Sequence, residues 1–339
     1  MRSRLLALLL LPLLGCPPAS DDDDSNVTDD DDAAECDAVD LDAPEGPSGY
    51  PMDGWGWVSE GLLLEPSEPD EATDGFLSPA VVEADGTLHL FITHKSGPTH
   101  TLLHAAADTW GDWLDPRPVA GLPDDEMQAY PTVIYEDGLL KLWLGSGSVD
   151  HYTSAHGDDW TLVGEHVLTA GDAGDFDDLS LLYPSVVAID DGYVMLYTGF
   201  DGAVFRIGRA TSTDGIDWVK DAASPVIVPG DGDDFDNQAV AQTALARAGS
   251  GWLAWYGGYD TSQSNPGPYR VGLATSDDGV SWQKAGVSLD LSADGLDAWS
   301  TRDAAVAFHD GAWRMVYTGM APDSRYRLMS ATSAVCPEP

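Results

Sequence analysis

One arrangement of hydrophobic and polar positions recurs five times along the chain. Each copy has an apolar segment, a short turn that contains glycine, and a second segment in which aromatic residues alternate with others, as in YPSVVAIDDGYVMLYTG. Two such segments joined by a tight turn predict a β-hairpin. The turn glycines stand 52 to 60 positions apart and are Gly86, Gly138, Gly192, Gly251 and Gly311. A period of this length predicts a repeat architecture built from one supersecondary unit.

Each hairpin is followed by a third short apolar segment and by a turn that carries a tryptophan, as in SAHGDDW, ATSTDGIDW and ATSDDGVSW. A fourth apolar stretch follows Trp160 and Trp218. Four antiparallel strands per repeat are typical of a propeller blade. No long stretch shows a helical period, which argues against an α/β fold. The pattern therefore predicts an all-β, five-bladed β-propeller with four-stranded antiparallel blades over residues 51–336.

The fifth repeat stops before its tryptophan turn and its fourth strand. The segment 57–66, WVSEGLLLEP, matches the strand that follows the tryptophan in the other repeats. We therefore expect this N-terminal strand to complete the last blade and close the ring, which would remove exposed sheet edges.

The N-terminus reads MRSRLLALLLLPLLGC, with two arginines before an apolar run. Ten apolar residues are too few to cross a bilayer, so residues 1–15 are predicted to be a signal peptide. The ending Leu-Leu-Gly-Cys resembles the bacterial lipobox, which implies that Cys16 is lipidated and that the protein is anchored in the cell envelope. Pro17 favours the outer membrane or the cell surface. The alternative is an ordinary signal peptide with an incidental cysteine.

Residues 16–50 form a predicted acidic linker. Two runs of four aspartates repel one another and favour an extended, disordered spacer. Calcium could bind such a tract, but without fixed ligand geometry, so we predict no cofactor and no metal site. Export also makes a disulfide between Cys36 and Cys336 chemically reasonable.

Composition limits the partners. With 58 acidic and 15 basic residues the chain carries a formal charge of −43, which excludes an ordinary nucleic-acid binder. We expect a monomer that contacts a membrane only through its lipid anchor. Motifs for other chemistries are missing from the sequence, and the one histidine cluster, His94, His100 and His104, is expected to be solvated or at a sheet edge.

Residues 53–333 resemble the five-bladed β-propeller glycosidases, the group of arabinanases, xylosidases, invertases, levansucrases and mannoside phosphorylases. Blade number, period, and phrases such as YVMLYTGFDG with IGRATSTDGIDW carry the resemblance. The resemblance implies a catalytic Asp before the proline of the first inner strand and a Glu at the equivalent place in the third. Here those places hold Ser78 and Leu182-Tyr183, so the usual acids are not matched.

The resemblance also implies which residues face the axial channel, and these are Ser78, Tyr130, Tyr183, Gln242 and Arg302. Aromatic faces, amides and a guanidinium can bind sugars, so we predict them to be substrate-binding residues. The alternative is that they merely fill a narrow channel.

Acidic residues recur on the loops that lead into the inner strands. Glycoside hydrolysis needs two carboxyl groups, and a relocated pair could come from Asp74, Asp178 and Asp303. The alternative is that such aspartates cap backbone N–H groups. The sequence thus predicts an exported lipoprotein that recognises an oligo- or polysaccharide in an axial funnel and leaves hydrolysis undecided. The other function that it leaves open is that of a non-catalytic binding or interaction propeller of the cell envelope.

Overall fold

The computed structural model describes residues 57–66, 74–123, 127–260 and 268–333. All elements in these ranges are β-strands, which confirms the all-β prediction. None of the described segments forms a helix long and apolar enough to span a membrane. The predicted signal peptide, Cys16, the acidic linker, Cys36 and Cys336 lie outside the described residues.

The strands fall into successive antiparallel groups, each pairing in chain order. The first group contains β2 (Gly75–Ala84), β3 (Thr87–Ser96), β4 (Thr99–Ala107) and β5 (Arg117–Pro118). The second contains β6 (Pro131–Glu136), β7 (Leu139–Gly147), β8 (Val149–Ser154) and β9 (Thr161–Leu168). The third contains β10 (Ser180–Ile189), β11 (Gly192–Phe200), β12 (Phe205–Ser212) and β13 (Trp218–Lys220).

The fourth group contains β14 (Ala239–Ala248), β15 (Gly251–Tyr259), β16 (Tyr269–Ser276) and β17 (Gln283–Leu289). The last contains β18 (Ser300–His309), β19 (Ala312–Met320) and β20 (Tyr326–Ser333). Its outer partner is β1 (Trp57–Leu64), which pairs antiparallel with β20 and sets Trp57 opposite Ser333. A strand from the start of the described chain thus occupies the fourth place in the last group.

Hydrophobic clusters join neighbouring strand groups. Phe91 of the first group packs in one cluster with Leu142 of the second, and Trp255 of the fourth packs with Trp313 and Tyr317 of the fifth. Phe91 and Trp255 are completely buried. Burial of one such side chain contributes roughly 1.5–3 kcal/mol, so these contacts hold adjacent groups together.

The first strands of the groups, β2, β6, β10, β14 and β18, are the inner strands. All of them line a common channel of about 300 Å³. We call the end of the channel where these strands begin the mouth. Next to the mouth, β2 meets β20 where Gly75 lies beside Tyr326, and a Cβ atom on Gly75 would come within 2.1 Å of the Tyr326 carbonyl oxygen. Glycine is therefore required for this close approach.

The tryptophan turns have a structural role. Each indole N–H donates to a glycine carbonyl of its own turn, at 3.0 Å for Trp160, 2.9 Å for Trp218 and 3.2 Å for Trp282. These bonds close the turn between the third and fourth strands of a group.

Candidate functional site

One residue near the start of each inner strand has a left-handed backbone. The values of φ are 47° at Ser78, 61° at Tyr130, 50° at Tyr183, 61° at Gln242 and 49° at Asp303. Positive φ is uncommon outside glycine, so its recurrence at equivalent positions indicates a built feature. In β2, β10, β14 and β18 the pairing register also breaks at this residue, as at a β-bulge.

These bulge residues correct one detail of the predicted ring. The prediction placed Arg302 in the fifth position, but the register of β18 breaks between Arg302 and Ala305, and Asp303 has the left-handed backbone. In the first three groups a proline follows the left-handed residue, whereas Ala304 follows it in β18, so no proline marks the fifth position in the sequence. Asp303 therefore completes the ring with Ser78, Tyr130, Tyr183 and Gln242, and Arg302 precedes it.

The ring encloses little free space. Its residues and those that follow them line a cavity of about 30 Å³, which is room for water but not for a sugar. Ser78, Gln242 and Asp303 are buried, whereas Tyr130 and Tyr183 are half-buried. A ligand at the mouth would meet the tyrosines first.

Hydrogen bonds between neighbouring groups hold the bulges in place. In three places the backbone N–H of a bulge residue donates to the hydroxyl oxygen of a threonine on the second strand of a neighbouring group. Tyr130 donates to Thr93 at 3.2 Å, Gln242 to Thr198 at 3.1 Å, and Ser78 to Thr318 at 3.1 Å. Gly145 takes the threonine position in β7, where a Cβ atom would lie 2.4 Å from Pro184 Cδ. Three threonine hydroxyls thus tie bulge residues to the neighbouring strand group.

Asp303 is held by several donors. Its Oδ2 accepts bonds from the Ser78 N–H at 3.3 Å, the Ser78 hydroxyl at 3.2 Å and the Thr318 hydroxyl at 3.2 Å. Its Oδ1 accepts from Arg302 Nε, also at 3.3 Å. The Asp303 carboxylate therefore links the last strand group to the first and forms an ion pair with Arg302.

Arg302 lies among tyrosines. Its Nη2 donates to the Tyr183 hydroxyl at 3.2 Å, and its Cζ stands 4.6 Å from the ring centroid of Tyr269. The rings of Tyr130 and Tyr183 are 3.9 Å apart between centroids. We call Tyr130, Tyr183, Tyr269, Arg302 and Asp303 the mouth cluster.

Burial and neighbouring charges hold the tyrosines and Arg302 of the mouth cluster in one protonation state. Burial raises the pKa of Tyr130, Tyr183 and Tyr269, so these phenols remain protonated donors. Burial alone would lower the pKa of Arg302, but the Asp303 carboxylate and the neighbouring tyrosines together outweigh burial, so the pKa is raised. The cluster therefore offers neutral phenols and one fixed cation across the ordinary pH range.

The acids that recur on the loops before the inner strands have structural contacts. Asp177 Oδ2 accepts from the Tyr197 hydroxyl at 3.0 Å and pairs with Lys220 Nζ at 2.6 Å. In the same way, Asp236 Oδ2 accepts from the Tyr256 hydroxyl at 2.8 Å and pairs with Lys284 Nζ at 2.7 Å. In the last group, Asp297 Oδ2 accepts from Tyr317 at 2.6 Å. These three aspartates are at most 3% exposed and connect each incoming loop to its second strand.

The three predicted catalytic carboxylates are held by different partners. Asp74 is 1% exposed and accepts the Gly97 N–H at 2.8 Å, while the half-buried Asp178 accepts the Gly174 N–H at 2.8 Å. Asp303 belongs to the mouth cluster.

Among the described residues, no group of three or more His, Cys, Asp or Glu side chains is arranged to hold a metal ion.

Two aromatic residues of the mouth were missed by the sequence reasoning. Tyr269 begins β16 and stacks on Tyr259 with centroids 4.7 Å apart, and the half-buried Tyr326 begins β20 near enough to affect the pKa of Tyr130. Both lie at the start of a third strand, where a ring follows the mouth-side loop. An aromatic residue at the first position of a third strand could therefore have been recognised in the sequence as a residue of the mouth.

Comparisons with known proteins agree with the fold. No protein-family model matches the chain. Uncharacterized protein Rv1502 of Mycobacterium tuberculosis is 29% identical over 208 residues, which are 58% of this chain and 66% of that protein. The chain therefore spans slightly less than two thirds of the length of this curated relative.

Solved structures are similar over most of the chain. A structure described as a glycoside hydrolase has a TM-score of 0.67 and 16% identity, covering 83% of this chain and 95% of its own. The catalytic domain of the GH62 α-L-arabinofuranosidase of Coprinopsis cinerea has a TM-score of 0.63 and 14% identity, with 84% and 98% covered. A GH130 hydrolase described as targeting β-1,2 mannosidic linkages has a TM-score of 0.61 and 18% identity, with 84% and 98% covered. At these identities the likeness establishes the fold class, a glycosidase-like propeller.

Proposed function

We propose that this chain is an exported, lipid-anchored protein of the cell envelope that binds an oligosaccharide or polysaccharide at the mouth cluster. The observation that carries the proposal is the set of partly exposed phenol rings around Arg302. Sugar rings stack on aromatic faces, and sugar hydroxyls bond to phenol and guanidinium groups. The fold that is shared with glycoside hydrolases supports a sugar ligand, but function has to be argued from the site.

We propose further that the five strand groups are the blades of one closed propeller. The pairing of β1 with β20, the clusters between neighbouring groups, and the channel lined by all inner strands support this architecture. A closed ring has no exposed sheet edge. It would also hold the mouth cluster on rigid strands, which favours a preorganised site.

The contacts favour recognition without cleavage. The positions where the resembled glycosidases carry their acids hold Ser78 and Tyr183. Hydrolysis needs one protonated and one ionised carboxyl group on opposite sides of the bond. Asp303 is paired with Arg302 and already accepts three further donors from Ser78 and Thr318. If the protein hydrolysed its ligand, the acid and base carboxyl groups would have to come from Asp303, Asp74 and Asp178.

A glycan array probed with the full-length chain in detergent tests the proposal. Tyr130→Ala should weaken binding about tenfold or more, because it removes both the area that the ring buries and the roughly 0.5–1.5 kcal/mol that a stacked ring contributes beyond that area. Tyr135→Ala is the matched control, since Tyr135 lies toward the other end of β6 and its hydroxyl bonds to Asp85 at 2.6 Å. Equal losses in the two variants would move the binding site away from the mouth.

The bound glycans are then incubated with the protein and checked for cleavage. Intact glycans support a binding module. Products would assign hydrolysis, and Asp303→Asn, Asp178→Asn and Asp74→Asn would identify the pair. A protein that binds no glycan would instead support the alternative, an envelope propeller that contacts a protein partner through its rim.

A further inference from the structure

We propose that the glycan recognised at the mouth cluster is anionic and that Arg302 binds the carboxylate of a uronic-acid residue in it. This inference rests on the proposed function, because it names the class of sugar that the same site would take.

The guanidinium of Arg302 is fixed from three directions. Nε bonds to Asp303 at 3.3 Å, Nη2 to the Tyr183 hydroxyl at 3.2 Å, and the face of the group lies on the ring of Tyr269. Within the part of the chain that the structure describes, Nη1 bonds to no acceptor, and the side chain is 16% exposed. The outer edge of the guanidinium therefore keeps N–H donors for a ligand in the mouth.

The geometry of these donors favours a carboxylate. A guanidinium presents parallel N–H groups that match the two oxygens of a carboxylate, whereas one sugar hydroxyl accepts a single bond. Charge-assisted bonds are also roughly twice as strong as neutral ones. Because the contacts of Arg302 hold it in place, little side-chain freedom remains to be lost on binding.

A neutral sugar does not explain the cation. The phenol groups of Tyr130, Tyr183 and Tyr269 would suffice for a neutral pyranose, and burial of a guanidinium beside them carries a desolvation cost. The chain has a formal charge of −43, which repels anions at long range. An anionic ligand therefore needs a local cation, and Arg302 supplies one at the mouth.

Neutralisation of Asp303 is the competing role for Arg302. Only Nε contacts that carboxylate, whose other oxygen is occupied by Ser78 and Thr318. If neutralisation were the whole role, the wild-type protein would bind acidic and neutral glycans alike. The two explanations can thus be separated without any mutation.

The experiment measures the affinity of the full-length protein for matched pairs of oligosaccharides. Each pair consists of a uronic-acid oligosaccharide, built on galacturonate, glucuronate, mannuronate or iduronate, and its carboxyl-reduced form, in which the carboxylate has become a CH₂OH group. We expect at least one acidic member to bind roughly 10- to 100-fold more tightly than its reduced partner. Arg302→Lys keeps a charge beside Asp303 but removes the fork, and it should reduce this preference.

The outcomes separate the two proposals. Equal or tighter binding of the reduced forms would overturn the anionic ligand and leave the proposed sugar-binding function standing. A preference that persists in Arg302→Lys and in Arg302→Gln would also overturn the role of Arg302. If the protein binds none of these oligosaccharides but binds another glycan on the array, this inference fails and the proposed function stands. If it binds no glycan on the array either, both fail.

Discussion

We expect a pair of buried histidines to make the stability of the protein depend on pH. His89 Nδ1 and His104 Nε2 are 2.9 Å apart, and His104 Nδ1 bonds to Asp158 Oδ1 at 2.9 Å. If Nδ1 of His104 donates to the carboxylate, its Nε2 accepts the proton of His89. Burial and the neighbouring His104 lower the pKa of His89 from 6.5 to about 4.

The sign of the effect follows from this lowered pKa. The unfolded chain takes up a proton on His89 near pH 6.5, whereas the folded chain resists protonation until about pH 4. The contribution of His89 is therefore present above pH 6.5 and is lost as the pH falls toward 4. A shift of this size corresponds to about 3 kcal/mol, at about 1.4 kcal/mol for each pKa unit.

The test compares wild type with His89→Asn, whose side-chain amide can still donate to His104 but does not titrate. Urea denaturation across about pH 7.5 to 4 gives the free energy of unfolding of each protein. We expect the wild-type value to fall relative to that of the variant by about 3 kcal/mol over this range. Thr87→Ser, a change on the same strand without a titrating group, should give a constant difference. A difference between wild type and His89→Asn that does not change with pH would refute the reasoning.

Three further predictions concern other parts of the chain. Lys220→Met should lower the free energy of unfolding by about 2–3 kcal/mol, because it leaves the buried Asp177 without its cation. The double variant with Asp177→Asn should recover part of this loss. An unchanged free energy of unfolding in Lys220→Met would contradict the prediction. Cys16→Ser should abolish lipid labelling and release the protein from the membrane, and continued membrane retention would disprove the anchor. Mass mapping without reduction should find Cys36 joined to Cys336, whereas two free thiols in freshly exported protein would exclude the bridge.

Much of the mouth could be predicted, and the errors have identifiable physical causes. The repeated X-Pro at the start of the inner strands marked Ser78, Tyr130 and Tyr183, and these three residues line the small cavity at the mouth. The fifth position was assigned to Arg302 instead of Asp303, because Ala304 stands where the first three groups carry proline and no X-Pro marks the left-handed residue. His104 was expected to be solvated or at a sheet edge but is 7% exposed, because its side chain packs toward the second strand group and is hydrogen-bonded to Asp158.

The sequence by itself determined the strands and their hairpins, since alternation of apolar residues and turn glycines acts over short distances. It also determined the acidity of the chain and the recurrence of a loop aspartate before the inner strands. Only the tertiary structure decided what these residues do. Asp177 became a buried partner of Lys220, and Arg302 came to lie between Tyr183 and Tyr269, which are distant along the chain. Contacts of this kind depend on how neighbouring strand groups pack, and local patterns do not encode them.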